Sequence, residues 1–160
     1  MSKMLIKIIG SFAIVTAGGV CALSLCRYHK RRLETLEGFI SLIYYIKGQV
    51  ECYARPIGEI LQALPPEILR DCNCPEGAES LEELVSESRH LLDRESDRLL
   101  RAFCAEFGNT FREEQGRRCE HYASQLCRHR AAISEHSVSD MRAASAICLC
   151  ACLCLTILLW

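Results

Sequence analysis

The sequence predicts an all-α fold: a cytosolic helical bundle between an N-terminal and a C-terminal transmembrane helix, the last helix long and continuous with its span. Three observations predict it. Apolar residues recur at three- and four-residue spacing along the middle of the chain, and nothing alternates with period two for long enough to make a strand. Charge is confined, with all 20 acids and 17 of the 19 basic residues lying between Arg27 and Arg142. The flanks are uncharged runs of 19 residues (Ile8 to Cys26) and 18 residues (Ala143 to Trp160), each close to the ~20 apolar residues a spanning helix needs.

The expected organisation is therefore an N-terminal transmembrane segment over residues 1–26, a cytosolic helical domain over 27–142 and a C-terminal transmembrane segment over 143–160. A cleaved signal peptide competes at the N-terminus, with Lys3 and Lys7 as its basic start. The apolar run exceeds the usual ~7–15 residue signal core and Gly19-Val20-Cys21 is a poor lipoprotein box, so a retained anchor is expected. Arg27, Lys30, Arg31 and Arg32 follow the first run, and Arg128, Arg130 and Arg142 precede the second, against Lys3 and Lys7 outside them. The positive-inside rule then puts the middle segment in the cytosol and both termini outside.

The first middle element, Arg31 to about Ala54, carries Leu33, Leu36, Ile40, Ile43 and Val50 on one face, widened by Phe39, Leu42 and Ile46. Pro56 ends or kinks it. A short helix from Ile57 to Leu64 follows and is stopped by Pro65-Pro66, and Asp71 to Gly77 reads as a loop. Gly38, Gly48 and Gly58 recur every ten residues without any repeat around them. Ser80-Leu81-Glu82-Glu83 is a capping box, and Asp93 or Ser96 caps a further helix whose Leu99, Leu100, Phe103 and Phe107 form a stripe ending at Gly108-Asn109. Thr110-Phe111-Arg112-Glu113 opens the last helix, where Cys119, Tyr122, Leu126 and Ile133 share a face. Gly116 is its weak point, and a break near Glu135 to Ser139 would divide it in two. The two amphipathic helices are expected to pack antiparallel, burying Ile40, Ile43, Tyr122 and Leu126 together.

Chemical motifs are missing. There is no Gly-rich phosphate loop, GxSxG elbow or HExxH pair, no basic stripe with interleaved aromatics for nucleic acid, and no charged residue inside either uncharged run for a transport path. No catalytic, cofactor or metal residues are assigned, and no small-molecule substrate. Cys119-x-His121 and Cys127-x-His129 resemble ligand doublets, but residues two apart on a helix point about 200° apart and cannot chelate one ion alone. His29 and His129 lie among arginines and read as solvated. The partner-docking candidates are Asn109, Glu113 and Glu114, at the turn and acidic first turn of the last helix. Acids there also complement the helix dipole, worth typically ~0.3–1 kcal/mol.

The arrangement resembles the stage III sporulation protein AB family of endospore-forming bacteria. The resemblance is carried by the N-terminal run with Arg31-Arg32-Leu33, by Ile43 to Ile46 and Pro56-Ile57-Gly58-Glu59, by Leu99-Leu100-Arg101-Ala102-Phe103 with Phe107-Gly108 and Glu114-Gln115, and by the long last helix with its hydrophobic tail. Cysteine in place of aliphatic residues in that tail, and the Asp71 to Gly77 loop, depart from the pattern. The resemblance implies a structural membrane subunit, not an enzyme, of the secretion-like channel complex joining mother cell and forespore. It lies in the mother-cell membrane, with a cytosolic motor ATPase and other channel subunits as partners. The family's soluble domain is similar to that of platform proteins of type II secretion and type IV pilus systems. Self-association is left open. The alternative is a secreted or lipid-anchored cysteine-rich helical protein, produced by cleavage after the first apolar run.

Overall fold

The computed structural model describes residues 2–53, 56–74, 78, 80–107 and 111–159, with side chains described for all of these except 2–9, 11–15, 112, 136–142, 144, 145, 148, 149, 152, 153 and 155–159. Among the described residues six helices follow in order: α1 (Ser2–Tyr53), α2 (Ile57–Gln62), α3 (Pro66–Asp71), α4 (Leu81–Glu87), α5 (Arg94–Glu106) and α6 (Arg112–Leu159), with a 3-10 turn at Arg89–Leu91 before α5. No strand occurs among the described residues, so the fold is all-α. α6 runs through residues 135–139 without the break that low propensity there suggested.

The chain forms two compact units, one of residues 1–30 and 134–160 and one of residues 31–133. In the first, Val20, Leu23, Leu25 and Ile147 are exposed. Among the described residues no helix is long and apolar enough to cross a membrane. The spans expected over 8–26 and 143–160 are thus not part of what the fold establishes, and many side chains of both runs lie outside the described set.

The second unit has the core. From α1 it buries Leu36, Phe39, Ile40, Leu42, Ile43, Ile46 and Val50, and from α6 Cys119, Tyr122, Ala123 and Leu126. The four residues expected to meet, Ile40, Ile43, Tyr122 and Leu126, all belong to this cluster. Leu33 is only half-buried, one turn short of it. Three contacts fix the register: Glu37 with Arg130 at 2.8 Å, Lys47 with Glu120 at 2.9 Å, and Glu51 over Gly116. Each step along α1 is matched by an equal step back along α6, so the pair is antiparallel with no slip. Full burial of an Ile, Leu or Phe stabilises by about 1.5–3 kcal/mol, which makes this seam the main stabilising feature of the unit.

α2 and α3 close one side. The prolines act twice: Pro65, before Pro66, is extended at ψ 135°, and Pro66 occupies the first turn of α3, where its missing N–H costs nothing. α3 was not foreseen. It ends in a Schellman motif, with Cys74 N donating to Leu69 O and Asn73 N to Arg70 O, both 2.9 Å, around Asn73 at φ 56°. That turn lies directly on α1: a Cβ on Gly38 would come within 2.5 Å of the Asp71 carbonyl carbon, whereas nothing lies within 4 Å of Gly48 or Gly58. Of the three evenly spaced glycines, Gly38 alone is required by a close approach of backbone.

Ser80 caps α4 by accepting from Glu83 N at 3.1 Å. Ser88, fully buried, donates to Cys72 O and so ties α4 to the α3 turn. Asp93 caps α5, accepting from Glu95 N at 3.2 Å. The α5 stripe Leu99, Leu100 and Phe103 enters the core, and Phe103 stacks edge-on against Tyr122 at 5.7 Å.

Candidate docking site

The α1–α6 register places the end of α1 and the start of α6 at one end of the 31–133 unit. Phe111 accepts the first helical hydrogen bond of α6, from Gln115 N at 3.0 Å. Thr110, expected to cap this helix, lies outside the described residues, as do Gly108 and Asn109. Of the docking candidates, Glu113 is exposed and forms no ion pair among the described residues. Glu114 is engaged, accepting from Arg117 Nη2 and, at 3.4 Å, from Arg118 Nε. Arg118 also reaches back to α5, donating to Glu106 O at 3.2 Å. The hydrogen bond from Arg117, then its charge, then Arg118 hold the Glu114 carboxyl below its ordinary range. Glu114 thus fastens the first turn of α6 to the end of α5 and is less available to a partner than Glu113.

A groove of about 580 Å³ lies beside this clamp, lined by Glu106, Glu114, Arg117, Arg118, His121 and Tyr122. Burial raises the pKa of the Tyr122 hydroxyl, and the Glu106 hydrogen bond and charge add to the shift. The residue that sequence reasoning passed over is Phe111, 89% exposed, and with it Tyr53, 65% exposed at the end of α1. No sequence signal marked its exposure, since at 3.6 residues per turn Phe111 falls in line with Tyr122 and Ile133; it stands one residue before the first residue of α6.

His129 is not the solvated histidine expected among arginines. Its Nε2 lies 2.8 Å from Asp93 Oδ2, with both side chains three-quarters buried. Burial alone would raise the Asp93 carboxyl, but hydrogen bonds from Ser96 and His129, the His129 charge and the Glu95 amide outweigh it and hold the group below its ordinary value. The α5 cap is thereby tied to α6.

Among the described residues no group of three His, Cys, Asp or Glu could hold a metal ion. Ten cysteines are described, all unbridged. Burial is the main reason that the Cys104 and Cys119 thiols are pushed up to about 12 and that of Cys72 is raised further, so these groups stay protonated and pack as small hydrophobes.

Neither a curated protein nor a solved structure matches the chain. The family model described as stage III sporulation protein AB matches residues 7–160, nearly the full length, and carries both long helices and the whole 31–133 unit. The chain therefore belongs to the stage III sporulation protein AB family and is a sporulation-related protein.

Proposed function

We propose that the chain is a membrane-anchored structural subunit of the secretion-like channel complex between mother cell and forespore. Its 31–133 unit docks a cytosolic motor ATPase and neighbouring subunits, and no enzymatic step is involved. The uncharged runs at the two ends anchor it in the mother-cell membrane, with the middle segment cytosolic and both termini outside. The observation that carries this reading is the pairing of the family match with an antiparallel seam that presents an exposed acid, Glu113, beside an exposed aromatic, Phe111.

The test is charge reversal. Glu113→Lys is expected to remove co-purification of the partner while helix content is retained. Glu114→Lys should in addition lower the melting point, because it breaks the clamp to Arg117 and Arg118. Binding that persists in both variants would place the partner elsewhere.

A further inference from the structure

We propose that a cleft beside Thr35 binds a phosphate group carried on a small hydroxyl- or amine-bearing molecule. All the residues that line it belong to the 31–133 unit, and the proposal is independent of the docking reading. The cleft has a volume of about 560 Å³, within the ~300–1,000 Å³ range of small-ligand sites. Its origin can be followed along α1. Positions 31, 35 and 38 share one face of that helix at four- and three-residue spacing. The α3 turn sits on Gly38, while Arg32 Nε donates to Leu91 O at 3.3 Å and holds the 3-10 turn farther toward the helix start. The cleft opens between these two pieces of chain, with Thr35 in its wall.

Thr35 is the observation that points to a ligand. It is only 3% exposed, and that exposure is to the cleft it lines. Its hydroxyl makes no hydrogen bond among the described residues. The other two buried polar residues there behave differently, since Ser88 donates to Cys72 O and Ser96 to Asp93 Oδ1. A buried hydroxyl is ordinarily bonded, and the donor that Thr35 leaves unused faces the one place where a ligand could take it.

The charge around this hydroxyl favours an anion. Arg31 of α1 and Arg70 of α3 line the cleft, and neither forms an ion pair among the described residues. Of the three carboxylates in the lining, Glu37 is held by Arg130 at 2.8 Å and Glu34 is already engaged, which leaves Asp71. Ser41 and Asn73 add a second hydroxyl and an amide. Two guanidinium forks, two hydroxyls and an amide outnumber the ~four lone-pair sites of a carboxylate and suit a phosphate. Asp71 in turn accepts from a hydroxyl or ammonium beside the phosphate. Glycerol phosphate carries this pattern both as a free molecule and as the headgroup of an anionic lipid.

The test titrates the full chain, purified in a detergent with an uncharged headgroup, with glycerol 3-phosphate, with dioctanoyl phosphatidylglycerol and with acetate, read by calorimetry. Saturable binding of at least one phosphate probe is expected, tighter than acetate and weakened about tenfold by Arg31→Gln, Arg70→Gln and Thr35→Val. Binding of glycerol 3-phosphate assigns a free ligand, and binding of the lipid alone assigns a headgroup. Thr35→Val should leave the melting temperature of the unliganded chain unchanged or higher, because the hydroxyl it removes bonds to nothing in the fold. A lower melting temperature would make the hydroxyl structural and overturn the assignment. Failure of both phosphate probes to bind, acetate bound as tightly, or variants that bind like the unaltered chain would overturn it as well.

Discussion

Gly38 bears the tightest single-residue constraint, because the α3 turn occupies the space its Cβ would need. Gly38→Ala is expected to destabilise by about 1–3 kcal/mol through overpacking against backbone that cannot rotate away. Gly48→Ala meets nothing within 4 Å and should stabilise by about 0.5–1 kcal/mol, since Ala loses less backbone entropy in a helix. Urea midpoints of the two variants check both signs. Asp93 gives the pH dependence. Its folded pKa is depressed, so its contribution is full above the ordinary carboxylate value near 3.9 and is lost as pH falls through the lower folded value. Asp93→Asn keeps a good cap and removes the charge, so it should melt earlier than the unaltered chain at pH 7, with the gap closing toward pH 2. Asp93 was legible as a cap from its place before an apolar stripe. Its partner was not, because His129 is 36 residues away and only the fold of α5 onto α6 brings the two together.

At the scale of the element, the long amphipathic helices were legible because an apolar face repeated over several turns leaves few alternatives. Leu126 is fully buried at the α1–α6 seam. Leu126→Ala should cost about 2–5 kcal/mol and lower the melting temperature by several degrees, as scanned by circular dichroism. An unchanged melt would contradict the seam. α3 was not legible, for its six residues are too few to show a period, and Pro65-Pro66 reads as a stop although a proline also suits a first turn. Its closing Asn73 is testable in the same way. Asn73→Gly should be tolerated at φ 56°, whereas Asn73→Val should lower the melting point because a β-branched side chain resists that backbone. The evenly spaced glycines show the converse difficulty: their pattern is visible in sequence, but which one touches backbone depends on where α3 lies.

Across the whole molecule, the confinement of charge to residues 27–142 led to the reading of a central helical domain, and the compact unit of residues 31–133 lies within that range. The candidate site was legible only in part. Glu113 could be placed by its position in the first turn, but the engagement of Glu114 by Arg117 and Arg118 and the exposure of Phe111 depend on how α6 packs against α5 and α1. The cysteines gained their meaning the same way. Cys72 and Cys119 are sealed in the core and report nothing about compartment, while Cys52, at the end of α1 beside Tyr53, is exposed. Cys52 therefore offers the most direct measurement of whether the 31–133 unit sits on the cytosolic side of an anchoring membrane. Cells are treated with a membrane-impermeant thiol reagent, intact or after lysis, and the peptide carrying Cys52 is read by mass spectrometry. Protection in intact cells and labelling after lysis is the predicted result, and labelling of Cys52 in intact cells would contradict the cytosolic placement and with it the docking of a cytosolic motor.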